Sequence, residues 1–239
     1  MSDDKRNETQ LLLAILGVES LVDEITFKLA DEANDAPTAT AILGPFWRKE
    51  APIKKMGATI VSGYEDSPDH ALVHGRVLDF ITGKPLANAE LDIWETAPNG
   101  LYEQQDSQQP DMNLRGRFTT GDDGHYSFYC LRPTKYPIPY DGPAGDVLQL
   151  LDRHPWRPAH IHFIVTAPGY KPLVTQIFDR KSEYVENDVA FAVKESLVVD
   201  FVPKTDDPKA QYELEYDFKL AKYEDAKERG TEDATEPAP

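Results

Sequence analysis

The sequence predicts a mainly β protein, an antiparallel β-sandwich with a short α-helical segment ahead of it. Three observations lead there. After Met56, short apolar and β-branched runs recur roughly every ten residues between turn-forming residues, the spacing of a sandwich or barrel. Before about Glu32 the apolar residues fall instead at helical intervals. Two intervals between the β-like runs, 96–115 and 131–157, are far longer than a hairpin loop needs, and long loops on a rigid sheet are where sites tend to be built.

Taken in order, Leu11, Leu12, Ile15 and Leu16 form one apolar set and Val18, Leu21, Val22, Ile25 and Leu29 a second. Gly17 separates them, so two short amphipathic helices are expected. Pro37, Gly44, Pro45 and Pro52 break the loop that follows, which carries Gly44-Pro45-Phe46-Trp47. Strands at 72–80 and 90–96 are joined through Thr82-Gly83-Lys84-Pro85, and strands at 116–120 and 126–131 through Asp122-Asp123-Gly124. Both pairs read as antiparallel hairpins. Further strands are expected at 160–166, 173–178, 197–202 and 212–220. The organisation expected is a helical and linker segment at 1–52, a sandwich domain at 53–221 and an acidic tail at 222–239. The tail is polar and poor in aromatics, a composition that does not offset the entropy of ordering.

Composition narrows the partners. A chain of 239 residues can bury the core of one large domain. With 42 acidic against 25 basic side chains, a formal charge of -17 repels nucleic acid and anionic membrane surfaces. Cys130 is the sole cysteine, which excludes an intrachain disulfide and a cysteine-based zinc cluster. No secretory leader and no apolar window of spanning length is present, so a soluble, cytoplasmic protein is expected. Internal repeats, a heptad seam, a Gly-rich phosphate loop, a nucleophile elbow and a His-Glu-x-x-His motif are all missing.

The chemistry is concentrated in Arg157-Pro158-Ala159-His160-Ile161-His162, which runs into strong strand formers. Residues two apart share one face of a strand, so His160 and His162 can both reach one metal while Ile161 faces the core. The alternative is one histidine hydrogen-bonded in the core and the other solvated. A second half of a coordination sphere could come from a carboxylate, with Glu95, Glu103 and Asp179 as candidates, completing a facial triad. It could also come from tyrosine, whose phenol becomes a hard anionic ligand once a bound trivalent cation has displaced its proton. Tyr102 and Tyr136 each lie in one of the two long loops, although core packing is the ordinary role of a tyrosine.

A family pattern separates these readings. Asn99-Gly100-Leu101-Tyr102, Leu114-Arg115-Gly116-Arg117-Phe118, Tyr136-Pro137-Ile138-Pro139 with Asp141-Gly142-Pro143, Arg157-Pro158-Ala159-His160-Ile161-His162 and Thr175-Gln176 resemble the intradiol ring-cleavage dioxygenases. The likeness is greatest to the catechol and hydroxyquinol 1,2-dioxygenase branch and runs in order from about residue 6 to residue 220. It implies a non-haem Fe(III) centre with Tyr102 and His160 equatorial and Tyr136 and His162 axial. It also implies that a small aromatic diol displaces Tyr136, which takes up one of its protons, and that O2 then opens the ring between the hydroxyls to a cis,cis-muconate. Arg157 is implied beside the ring, where a fixed cation can stabilise charge developing on carbon, and Gln176 as a polar partner behind the ligands.

The same resemblance places Leu11, Ala14, Ile15, Ile42 and Pro45 in the substrate pocket. Hydroxyquinol-cleaving members tend to carry Asp where this chain has Ala14, which leans the reading toward catechol or an alkyl- or halo-substituted catechol. His154-Pro155-Trp156 reads more like the hydroxyquinol members, which give 3-hydroxy-cis,cis-muconate or maleylacetate. Members of the branch usually begin with several more helices, which help form the subunit interface and an apolar tunnel that holds lipid. This sequence enters part-way through that region. Its helices still carry an apolar face too large to leave in water, so a homodimer through them is expected, with a reduced lipid tunnel. Packing of both helices on their own sandwich is the alternative. Two rival functions remain. One is a hydrolase or oxygenase that pairs the histidines with a carboxylate; the other is a non-enzymatic binding module, because Gly75-x-Val77 to Ala89 with Asp123-Gly124-x-Tyr126 also resembles prealbumin-like sandwiches.

Overall fold

Asn7 opens the first helix by accepting a hydrogen bond from the Gln10 backbone N–H at 3.1 Å, which satisfies one of the orphan donors of a helix start. This helix, α1, runs Glu8–Ile15. Gly17 then takes a left-handed conformation, φ 73°, and the chain turns into α2, Val18–Asp31, so the predicted break falls where the glycine stands. The computed structural model describes residues 2, 6–31 and 37–223, with the backbone alone at 27–31. Most of the expected acidic tail and the Leu29 side chain lie outside the described residues. Among those residues, no helix is long and apolar enough to cross a membrane.

The strands are β1 His70–Asp79, β2 Glu90–Trp94, β3 Arg115–Thr119, β4 His125–Leu131, β5 Tyr136–Pro137, β6 Trp156–Arg157, β7 His160–Thr166 and β8 Leu173–Asp179, then β9 Val198–Val199, β10 Val202–Pro203, β11 Tyr212–Glu215 and β12 Phe218–Leu220. They form the predicted sandwich. One sheet has the order β10-β11-β1-β12 with β4 on β1, and the other has the order β3-β2-β7-β8-β9. Most pairs are antiparallel, but β1 runs parallel to β11 and β12, and β8 runs parallel to β9. Between the sheets, Val73, Val77, Phe128, Leu91, Ile161 and Phe163 interdigitate, each fully shielded from solvent.

Neither predicted hairpin forms. β1 and β2 lie in opposite sheets, as do β3 and β4; β1 instead pairs β4, and β2 pairs β3 and β7. The turn residues at 82–85 and 122–124 do reverse the chain, but not into hairpins. A reversal between sheets uses the same chemistry as one within a sheet. What selects the sheet is burial: β2 is buried on both faces from Leu91 to Trp94, which makes it a central strand with partners on either side. The strand expected at 212–220 is interrupted at Tyr216 and Asp217, although β11 and β12 keep one register along β1. The interruption faces Gly75, where a Cβ would lie 1.9 Å from the Tyr216 carbonyl oxygen. The segment expected at 197–202 divides into β9 and β10, in different sheets.

Two features prepare the site. The long interval 131–157 folds into α3, Gly142–Leu150, and the β5–β6 ribbon, which sets Tyr136 directly across from Arg157. The α1 helix packs against α3 through Leu11, Ile15, Ala144 and Leu148, and Glu8 Oε2 accepts from the Ala144 N–H at 3.1 Å. Residues 38–42 run across the sandwich between β8 and β12. Thr38 N donates to Lys219 O at 3.0 Å, Ala41 N to Val174 O at 2.9 Å, and Thr175 Oγ1 to Ala39 O at 2.7 Å.

Candidate metal centre

Strand alternation on β7 sends Ile161 into the inter-sheet core and both flanking histidines to the outer face of the second sheet, under α1 and α3. Their Nε2 atoms are 3.1 Å apart. Tyr102 arrives from the Asn99-Gly100 turn, where Gly100 has φ 79° and a Cβ would press to 3.3 Å from Tyr136 Cβ. Its Oη lies 3.1 Å from His162 Nε2 and 3.3 Å from Tyr136 Oη. The two phenol rings meet edge-on, and Tyr102 stacks on Phe46 with centroids 4.6 Å apart. Two nitrogens and two oxygens therefore converge in succession at 3.1, 3.1 and 3.3 Å. Donors bound ~2.0–2.1 Å from one ion at ordinary angles lie roughly 2.9–3.4 Å from each other, so the spacing suits one transition-metal ion.

The protonation of the donors suits it too. His160 Nδ1 is 2.8 Å from the Pro158 carbonyl, which can only accept, so the ring proton sits there and Nε2 presents a lone pair. Burial, reinforced by the nearby Arg157 charge, lowers the pKa of His160 to about 3 and keeps the ring neutral. Burial also pushes His162 well below the usual histidine range, with His160 as the next cause. His162 lies flat on Trp94, with centroids 4.6 Å apart and planes 7° from parallel, and its Nδ1 has no partner among the described residues. Burial drives the Tyr102 phenol well above its usual range, followed by the effect of Tyr136, so it keeps its proton unless a cation takes that place.

Arg157 is buried and makes a fork with Asp188, Nε to Oδ1 at 3.1 Å and Nη2 to Oδ2 at 3.0 Å. Its Nη2 also reaches Gln176 Oε1 at 2.9 Å, and its Nη1 lies 3.1 Å from His160 Nε2. Burial opposes the guanidinium charge, yet the Asp188 carboxylate outweighs it and raises the pKa. Asp188 is lowered in turn, by Arg157 and by the Ala190 and Ala192 N–H groups, against the penalty of burial. Gln176 stands across from His162 on β8 and donates from Nε2 to the Ile42 carbonyl at 2.5 Å.

The structure brings Tyr102, Tyr136, His160, His162, Arg157 and Gln176 together, with the expected pocket residues around or beside them. Leu11 and Ile15 share one apolar cluster with Tyr102, Tyr136 and Trp94, whereas Ala14 and Ile42 pack with Ala190 in the adjoining cluster. Pro45 is half-buried between Gly44, where a Cβ would lie 3.3 Å from the His162 ring, and Phe46. The carboxylate candidates are engaged elsewhere. Glu95 accepts from Leu131 N, Glu103 pairs with Arg115 and Arg48, and Asp179 pairs with Arg132. Among the described residues no group of three or more His, Cys, Asp or Glu is spaced to hold a metal. Sequence reasoning missed Asp188 and Trp94. Asp188 is one acidic residue among 42, with no local pattern to mark it, and Trp94 meets His162 only because β2 and β7 pair in that register.

Comparison with known proteins identifies the family. A family model described as Dioxygenase matches residues 42–222. An intradiol ring-cleavage dioxygenase of Aspergillus niger is 45% identical over 216 residues, covering 90% of this chain and 69% of that protein. Catechol 1,2-dioxygenase of Candida albicans is 46% identical over 228 residues, covering 92% and 74%. The crystal structure of hydroxyquinol 1,2-dioxygenase from Pseudomonas putida DLL-E4 superposes with a TM-score of 0.82 at 38% identity, covering 93% of this chain and 78% of that one. Family match, identity over most of both chains and common fold together make this chain a member of the intradiol ring-cleavage dioxygenases.

Proposed function

We propose that the chain holds Fe(III) through Tyr102, Tyr136, His160 and His162 and uses O2 to cleave a catechol between its hydroxyls, giving a cis,cis-muconate. The observation that carries this is the convergence of two phenol oxygens and two imidazole Nε2 atoms at 3.1–3.3 Å in a buried setting. Two phenolates suit a trivalent, hard cation by charge and by donor type. Bound there, Fe(III) supplies the Lewis acidity that draws electron density from the two substrate oxygens and opens the ring to O2.

The chain's own residues do the rest. Tyr136 sits on the two-stranded β5–β6 ribbon, outside the two sheets of the sandwich, and its Oη accepts a proton from a substrate hydroxyl, so it serves as ligand and base. Arg157 keeps its charge because Asp188 faces it, and Gln176 fixes its outer edge. When His160 Nε2 is engaged by a metal, Arg157 Nη1 loses that acceptor and turns to the substrate, where it stabilises negative charge on the ring. Leu11 and Ile15 close the apolar side and exclude water.

Leu16, Leu21, Val22 and Ile25 leave an apolar face exposed along α1 and α2, and we place the contact of a homodimer there. Cys130 is a buried free thiol, in keeping with a reducing, cytoplasmic setting. The test of the central reading is the visible spectrum of the iron-loaded protein together with product analysis on catechol. A broad charge-transfer band from tyrosinate on Fe(III), and a muconate product, are expected. A colourless iron-replete protein, or a yellow semialdehyde from cleavage beside the hydroxyls, would overturn it.

A further inference from the structure

We propose that Trp94 is the positioning residue for His162, its indole face fixing a ring that a hydrogen bond would ordinarily fix, so that the two histidines of the centre are held by different means. The inference rests on the metal centre proposed above. A histidine that binds a metal through one ring nitrogen usually donates its other N–H to an acceptor, which sets the plane of the ring and strengthens it as a donor. His160 follows that pattern, with Nδ1 2.8 Å from the Pro158 carbonyl. His162 does not, because its Nδ1 is buried and has no partner among the described residues.

Strand register explains the difference. On the outer face of the second sheet Arg115, Trp94, His162 and Gln176 stand side by side on β3, β2, β7 and β8. Of the two neighbours of His162, Gln176 has both ends of its amide engaged, Oε1 accepting from Arg157 and Nε2 donating to the Ile42 carbonyl. Trp94 is the other. Its ring lies 7° from parallel with the imidazole, and the centroids are 4.6 Å apart. The indole is buried, and its Nε1 also has no partner among the described residues, so it acts on His162 through its face and not through its N–H. At the Cε1 edge of the imidazole the Gly44 backbone closes in, where a Cβ would lie 3.3 Å from that carbon. The ring is thus held flat, with Nε2 3.1 Å from both His160 Nε2 and Tyr102 Oη. No acceptor draws on its N–H, which makes His162 the weaker donor of the pair.

The test follows iron in the full chain. Wild type, Trp94→Phe, Trp94→Leu and Leu148→Ala are loaded with Fe(III), and each is measured for its tyrosinate charge-transfer band, its iron affinity in competition with a chelator, and its Tm. Leu148 is buried in the same apolar cluster, so its truncation reports loss of packing alone. Trp94→Leu is expected to bind iron about 10–100-fold more weakly than wild type and to shift the band, the scale of removing a group that orients a metal ligand. Trp94→Phe, which keeps a flat ring, is expected to restore most of the affinity, and Leu148→Ala to lower Tm while holding iron as the wild type does. The wild type supplies a measurement that does not depend on how a variant folds. With diamagnetic Ga(III) in place of iron, the His160 ring N–H should lie downfield in the proton NMR spectrum, as a hydrogen-bonded group does, and the His162 ring protons upfield, as protons over an indole face do. Wild-type iron affinity in Trp94→Leu, an affinity in Trp94→Phe as low as in Trp94→Leu, an equal loss in Leu148→Ala, or a hydrogen-bonded His162 N–H overturns the role of Trp94. A wild type that takes up no iron, or takes it up without a tyrosinate band, overturns the metal centre itself.

Discussion

Replacing Asp188 with Asn removes the carboxylate paired with Arg157 while keeping the shape of the side chain. Both partners are almost wholly buried, at 2% and 3% side-chain exposure, so solvent cannot take over the role of the lost charge. Removing one member of such a pair leaves an uncompensated guanidinium and costs about 3–5 kcal/mol. For a chain of this size that corresponds to a fall in Tm of roughly 6–20 °C. Thermal and urea denaturation of the wild type, Asp188→Asn, Arg157→Met and the double variant form a cycle that isolates the pair. The double variant is expected to be more stable than Asp188→Asn, because it no longer buries a lone charge. The folded pKa of Asp188 is depressed, so its contribution is complete above the unfolded carboxylate pKa of about 4 and is lost only as pH falls through the lower folded value. The destabilisation should therefore be constant from pH 5 to 8. A single variant within about 1 kcal/mol of wild type, or a double variant no better than Asp188→Asn, refutes the reasoning.

Three further outcomes are expected. Tyr136→Phe should retain iron on metal analysis through the remaining three ligands, but lose about 10²–10⁴-fold in kcat, the usual share of a positioned base; unchanged turnover would remove Tyr136 from proton transfer. The metal-free protein should lose stability as pH falls below about 6.5, because the unfolded histidine binds a proton that folded His160, with its pKa of about 3, refuses. The slope from His160 alone is about 1.4 kcal/mol per pH unit down to that value, His162 adds to it in the same direction, and a urea-midpoint profile flat from pH 7 to 4 would contradict it. Val22→Glu, on the exposed face of α2, should shift the protein from dimer to monomer in sedimentation velocity without lowering its Tm by more than a few degrees.

How much of this was legible in the sequence follows the range of each interaction. The histidine pair was readable because a strand repeats every two residues, and β7 begins and ends where its composition placed it. Tyr102 and Tyr136 were not readable from periodicity: one follows a glycine turn, the other opens a two-residue ribbon, and what joins them is a tertiary contact at 3.3 Å. The family pattern supplied them. The α3 helix was hidden because Gly142 and Gly145 oppose helical propensity, and it is held by the Glu8 carboxylate at its start and by buried Ala144 and Leu148. The hairpins failed because turn residues specify where a chain reverses, while burial over the whole of β2 specifies its neighbours.

Residues 38–42 also carry a consequence for biosynthesis. They are synthesised well before their hydrogen-bond partners on β8 and β12, which are more than 130 residues downstream, at Val174, Gln176 and Lys219. Until those strands emerge, the segment that carries Ile42 has nothing to lie against, and Gln176 cannot brace Arg157. The surroundings of the candidate site are thus completed only after β8 and β12 have been made, and a metal captured before then would meet an unfinished wall.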